Sequence, residues 1–270
     1  MIEYFLLFIM GLAGGFLAGL IGIGGGVLYV LILPYLLINM GYPDSELVQF
    51  TIANSLVGTM FAALSGNIAL ISKREFYWKE TLTIGLFGTV ASLLVLNFVV
   101  QTEWYQRNIF NVVIIVIMLF VIYRTIKNIG LLSEENSSYL KLNQLSWVGA
   151  LAGSISALSG FGGGVIIIPI LNLRFKVDMK KAKSISLGVI FITSLALTVA
   201  NLLAVPMVNV KGQNIGYVVW PLVTVLSFGV VIGSPFGVRI ARKLSNRTIS
   251  YIFVLFLGVV IIDKLIQLLL

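Results

Sequence analysis

The chain has no cysteine and no histidine in its 270 residues. The first absence excludes disulfides and thiolate chemistry; the second excludes imidazole ligands and histidine proton relays. Most metalloenzyme sites fall with the two together. No metal, cofactor or catalytic group is assigned from the sequence, and the chain reads as a non-enzyme. Charge is scarce as well. Charged residues make up 10% of the chain, where soluble domains carry about 25%. Acidic side chains are the rarer kind, ten against eighteen Lys and Arg, and none stands in the middle of an apolar stretch.

What is present is apolar: 59% of residues, with a mean hydropathy of +1.06. No soluble core of this length could hide so much apolar surface, so the expectation is an all-α polytopic membrane protein embedded in a lipid bilayer. The short alternating strands of a β-barrel are missing. The opening MIEYFLLFIMG carries Glu3 where a cleavable signal has Lys or Arg, and reads as a retained membrane segment. The net charge of +8 does not indicate nucleic acid, because the basic residues sit in short loops between apolar runs, where topology signals lie.

Apolar runs fall at about 2–38, 47–71, 81–100, 108–126, 146–173, 184–210, 217–238 and 248–268. The polar stretch RTIKNIGLLSEENSSYLKLNQLS separates the first four from the last four. Shifting the sequence by 138 residues places 149–171 on 11–33 with ten identities in 23 positions, six of them glycine. Farther along, Ser55-Leu56 aligns with Ser186-Leu187 at a shift of 131, and Arg107 with Arg247 at a shift of 140. An internal duplication explains the register. It divides the chain into an N-terminal repeat 1–130, a linker 131–144 and a C-terminal repeat 145–270.

Charge counting orients the repeats. If all eight runs cross the membrane once, Lys and Arg divide 8 to 10 between the faces. If runs one and five each enter and return on the same face, each repeat crosses three times and the second is inverted, and 15 of 18 basic residues share one face. Only the second arrangement has a positive-inside bias. It makes the linker cytoplasmic and puts both termini outside. It also explains the glycine clusters, IGIGGGV and SGFGGGV, as places where each segment breaks and turns inside the membrane. Inverted repeats with broken segments meeting at the midplane point to a transporter site.

The paired segments GLAGGFLAGLIGIGGGVLYVLILP and GALAGSISALSGFGGGVIIIPIL, each followed by a Ser-Leu-bearing helix and two more, resemble the TauE/SafE (sulfite exporter, TSUP) family over essentially the whole chain. The resemblance implies a bacterial inner-membrane carrier, an exporter, of small sulfur-containing anions such as sulfite or organosulfonates. The family's second-helix motif often reads Ala-Thr-Ser-Leu; here it is Ala53-Asn54-Ser55-Leu56 and Ser184-Ile185-Ser186-Leu187.

An anion in the membrane needs compensating charge, and no Lys or Arg stands in the middle of a run. Neutral dipoles are the expected substitute: free N–H groups of glycines where helices begin near Val27 and Val165. Gly24, Gly25, Gly162 and Gly163 are the expected backbone donors, with the Ser159 hydroxyl beside them. Packing alone does not call for three consecutive glycines in both repeats. Asn54, Ser55 and Ser186 are further donors, or bonds to neighbouring helices. Gly11, Gly15 and Gly19 are expected in close helix packing, and Asn67, Asn97, Asn111 and Asn201 between helices. Pro235 is expected to kink run seven, as a hinge or as shape.

With no central acid, passive potential-driven export or protonation of the substrate itself is expected. A carrier or channel for another small solute, and a non-transporting membrane scaffold that binds a partner through its basic loops, stay open. So does a homo-oligomer, since small-residue faces suit internal and external packing alike.

Overall fold

The computed structural model describes residues 2–72, 74–127, 140–208, 213–241 and 243–269. Residues 131–139 of the expected linker lie outside the described residues, as does Lys211 in the loop before run seven. Runs one and five are each cut in two. The first becomes α1 (Ile2–Ile21) and α2 (Gly26–Asn39), the second α6 (Leu142–Ser159) and α7 (Gly164–Pro169), with a π-turn at Ile170–Arg174. In both, the regular backbone stops within the glycine cluster, over 22–25 and 160–163.

The remaining helices are α3 (Leu47–Ile71), α4 (Trp78–Val95, continued as a π-helix through Val100), α5 (Arg107–Lys127), α8 (Met179–Leu203), α9 (Trp220–Ala241) and α10 (Asn246–Leu269). Two differences from the sequence reading stand out. Helix α8 starts five residues before the expected run, because Asp178 caps it by accepting the N–H groups of Lys180 and Lys181 at 2.8 and 3.2 Å. It also ends at Leu203, and a two-residue antiparallel strand pair, β1 (Asn214–Ile215) with β2 (Val218–Val219), precedes α9.

Among the described residues, seven helices are long and apolar enough to cross a membrane: α1, α3, α4, α5, α8, α9 and α10. Helices α4, α5 and α10 turn Leu86, Phe98, Val116 and Leu255 outward, each more than half exposed. Contiguous apolar exposure of that kind suits contact with lipid. The centre of the molecule is α3, most of which is buried, packed against α8.

Glycine sets the closest helix contacts. Gly11, Gly15 and Gly19 of α1 lie against the backbone of α9 at Leu226, Val230 and Ser234, and Gly229, Gly233 and Gly237 answer from α9 against Phe8, Leu12 and Phe16. A methyl group on any of the six would strike a carbonyl oxygen. The order of contacts makes α1 and α9 parallel. Helices α6 and α4 are joined likewise, Gly149 to Ile84 and Gly153 to Gly88. Helix α3 runs parallel to α9 (Gly58 at Leu226, Ser65 at Val231), whereas α3 and α8 are antiparallel, with Asn67 donating to the Leu187 carbonyl at 3.1 Å and Ser184 to that of Glu75, beyond the end of α3. Exchanging α1–α5 with α6–α10 carries this set of contacts onto itself, α1·α9 becoming α6·α4 and α3·α9 becoming α8·α4.

Two of the three prolines inside these helices free a carbonyl that a side chain from another helix answers. Pro235 leaves the Val231 carbonyl without its helical donor, and Ser65 of α3 supplies one at 3.4 Å. Pro34 does the same to Val30, whose carbonyl accepts from Lys264 Nζ of α10 at 3.2 Å. Pro235 is therefore tied to α3. Ser65→Ala is expected to cost about 1 kcal/mol and to cost nothing in a Pro235→Ala background, where the helix recovers its own N–H. A double-mutant cycle on thermal unfolding in detergent tests this, and equal losses in both backgrounds would refute it. Of the four asparagines expected between helices, Asn67 bonds to Leu187 and Asn111 to Gln267. Asn97 and Asn201 instead donate to Leu93 and Leu197 one turn back in their own helices.

Candidate functional site

The two breaks meet at the centre of the molecule. Thr59 is the middle residue of α3 and Ile190 stands beside the middle of α8. A methyl group built on Gly24 would lie 2.8 Å from Thr59 Cγ2 and 3.2 Å from the Phe161 carbonyl oxygen; one on Gly162 would lie 2.7 Å from both Thr59 Cγ2 and Ile190 Cγ2. Gly26 faces the Gly160 carbonyl, and Gly164 faces Ile23 Cα. Backbone therefore lies on backbone, and each glycine of each triplet is required for space. Gly25 makes room for the Tyr29 ring, and Gly163 for the Ala152 carbonyl. The expectation that packing alone does not call for three consecutive glycines is thereby corrected: two crossing breaks leave no volume for a side chain at any of the six positions.

The backbone is not identical in the two breaks. Gly24 and Gly162 have φ of +78° and +79°, but Gly25 is right-handed at φ −77° where its counterpart Gly163 is left-handed at +77°. In neither triplet does an N–H group donate a hydrogen bond within the described residues; the carbonyls of Gly25 and Gly163 instead accept the first bonds of α2 and α7.

The serines expected at the site hold the breaks together. Ser55 Oγ donates to the carbonyls of Gly160 (2.9 Å) and Gly26 (3.2 Å), and Ser186 Oγ donates to Gly22 (3.0 Å). Gly22 and Gly160 are equivalent by the 138-residue shift, so the two serines reach reciprocally into the opposite break. Ser159 donates to Ile155 and accepts the Phe161 N–H at 3.3 Å. Asn54 faces elsewhere. Its amide donates to Phe50 and Tyr217 and accepts from the Val219 N–H at 2.8 Å, which anchors β2 and the turn before it.

Sequence reading missed four polar groups at or near the breaks. The hydroxyls of Thr59, Tyr29 and Ser194 are buried without a hydrogen-bond partner. Thr59 Oγ1 would be 2.7 Å from a methyl on Gly26, and Ser194 Oγ 3.3 Å from one on Gly162. Buried hydroxyls are ordinarily bonded; among the several here that are not, these three are ones that lie beside the glycine triplets and are free to donate. The fourth group is Lys183. No Lys or Arg was expected in the middle of a run, and these two lie toward helix ends: the early start of α8 places Lys183 in its second turn beside Gly22, and Lys264 is wholly buried in the last turns of α10.

Besides a small cavity that reaches Ile23 and Lys183, two cavities lie at opposite ends of α3. One of about 530 Å³ is lined by Gly19, Gly22, Lys183 and Leu187 together with the loops before α4 and α8. The other, about 260 Å³, is lined by Glu46, Gln49, Glu103 and Tyr217. Neither lining includes Gly24 or Gly162. At the second mouth the Glu46 carboxylate accepts the N–H groups of Met207 and Val208 and the Tyr217 hydroxyl at 2.7–2.9 Å. Burial, then that hydrogen bond and the charge behind it, raise the Tyr217 phenol above its usual range, so it remains a donor. Among the described residues no cluster of three or more carboxylates could hold a metal ion.

Six membrane-length helices packed around two broken segments, one of whose arms, α1, is itself of membrane length, define a multi-pass membrane protein among the described residues. The chain belongs to the sulfite exporter TauE/SafE family, whose model matches residues 7–263. It is 31% identical over 260 residues to a protein of Methanocaldococcus jannaschii named "Probable membrane transporter protein MJ0441", covering 94% of this chain and 92% of that one. It is 26% identical over 267 residues to "Probable membrane transporter protein YunE" of Bacillus subtilis, covering 93% of each. It is 25% identical over 267 residues to a "Probable membrane transporter protein" of Haemophilus influenzae, covering 96% and 97%. No solved structure matches the chain.

Proposed function

We propose that this membrane transporter is a carrier, working as an exporter, of a small sulfur-containing anion such as sulfite or an organosulfonate, and that it is not an enzyme. The observation that carries the reading is the crossing of the two breaks between Thr59 and Ile190, with unbonded triplet N–H groups and orphan hydroxyls converging where an anion would shed its water. Partial positive charge fixed on backbone and hydroxyl dipoles stabilises an oxyanion without the desolvation cost of a buried cation. We read residues 1–130 and 145–270 as inverted repeats in the cytoplasmic membrane, with the linker cytoplasmic. The antiparallel α3/α8 pair and the exchange symmetry of the contacts support that reading. Access would then alternate between the two cavities.

The test is flux of labelled sulfite and sulfoacetate into liposomes holding the purified protein, with and without an imposed potential. Saturable, protein-dependent flux that related anions compete for is the expected result. No flux of any sulfur anion from folded protein would overturn the proposal and turn attention to other solutes.

A further inference from the structure

Lys183 has no direct partner: it makes no hydrogen bond and no ion pair among the described residues, although it is mostly buried against the larger cavity. The negative charge that acts on it is that of Asp178, which lines the same cavity and spends its hydrogen bonds on the N–H groups that begin α8. Lys181 pairs with Glu80 at 2.7 Å, and Glu75, also in the lining, is not without a partner. The lysine stem lies on Gly22, where an added methyl would be 3.1 Å from Cγ and 3.3 Å from Cβ. An ammonium with no direct counterion is incompletely compensated, and a small anion bound against it completes the pairing.

The position is also directional. Lys183, Ser186 and Ile190 share one face of α8, at i, i+3 and i+7. That face runs from the cavity, past the Gly22 carbonyl that Ser186 holds, to the crossing at Gly24 and Gly162. The matching face of α3 carries Ile52, Ser55 and Thr59, each 131 residues earlier. Ile52 packs on Gly160 as Lys183 packs on Gly22, with its Cα 3.3 Å from a methyl built there. One end of the pathway thus has a lysine where the other has an isoleucine. The cavity at the isoleucine end is lined by Glu46 and Glu103, with no Lys or Arg in its lining.

We propose that Lys183 and the Gly22 break form a binding station for a small oxyanion, one that loads the central site from the Lys183 side only. The proposal rests on the carrier reading above, and deepens it by naming the residue that makes the two sides unequal.

The experiment uses the full chain in two settings. In neutral phosphatidylcholine liposomes, K183M is expected to raise the half-saturating concentration of sulfite and sulfoacetate at least tenfold when the anion is supplied on the Lys183 side, and to leave it unchanged on the other. K183R should stay within about threefold of wild type. K243M, which removes an exposed lysine outside the cavity, should match wild type. In detergent, either anion should raise the unfolding temperature of wild type and K183R but not of K183M or K183Q. Wild-type saturation in K183M, with wild-type flux intact, overturns this proposal and leaves the carrier reading standing. No wild-type flux, with stabilisation that still depends on Lys183, upholds the station and overturns the carrier. Dependence on Lys183 confined to vesicles of anionic lipid would make the ligand a lipid headgroup phosphate and overturn the proposal.

Discussion

Gly162→Val is expected to destabilise the protein by about 2–5 kcal/mol and to eliminate anion flux from whatever protein folds. Two separate effects add. At φ +79° a side chain incurs the left-handed penalty, about 1–2 kcal/mol. The new methyls would also press on Thr59 Cγ2 and Ile190 Cγ2, each 2.7 Å from the first added carbon, and overpacking of that kind costs about 1–3 kcal/mol. Gly41 separates the two effects, because its φ is +81° and a methyl there would meet nothing within 4 Å. Gly41→Val should lose only the backbone part and keep its flux. Thermal unfolding in detergent and liposome flux, measured on both variants, decide the matter. A Gly162→Val protein that carries anion at the wild-type rate would show that the crossing is not the pathway.

The second large effect is expected at Lys264, which is 0% exposed. Its ammonium donates to the Val30 carbonyl and to Gln267 Oε1 at 3.2 and 3.3 Å and pairs with Asp263 at 3.2 Å. Tyr35 and Gln267 complete the cluster by donating to the two Asp263 oxygens at 2.7 and 2.8 Å. Lys264→Met leaves the partly exposed Asp263 carboxylate without its cation and the carbonyl freed by Pro34 without its donor. The expected cost is about 1–3 kcal/mol. Pro34→Ala restores a helical N–H to Val30, so in that background the loss should shrink by about 1 kcal/mol. An unfolding temperature unchanged in Lys264→Met would show that the cluster carries no net stability.

The sequence exposed the parts of this fold that are periodic or repeated. Six glycines in register across 138 residues cannot arise from apolar composition, so both breaks were visible before any coordinates. Single residues that face inward were not visible. Lys183 reads as one more basic loop residue until the Asp178 cap extends α8 over it. Thr59 and Ser194 lie in unbroken apolar runs, where nothing tells which face of the helix meets the break, and Tyr29, one turn past the glycine cluster, reads as one more apolar residue of its run. The glycine stripe of α9 was readable at 229, 233 and 237, every fourth residue, as the stripe of α1 was at 11, 15 and 19. Asn97 and Asn201 were misassigned because an asparagine in a membrane helix can bond one turn back as readily as across an interface.

The glycine seams also bear on how the molecule can change shape. Where a glycine lies on a carbonyl there is no slack, so α1 cannot slide on α9, nor α6 on α4. Helix α3 adjoins the first pair through Gly58, Ser65 and Ser234, and α8 adjoins the second through Gly85, Gly88 and Gly188, while α3 and α8 are themselves held together by Asn67 and Ser184. Each seam joins helices of both repeats, α1 with α9 and α4 with α6. The tightest unit of packing is therefore not the unit of duplication, and a repeat cannot move as one body without opening a seam in which glycine lies on backbone.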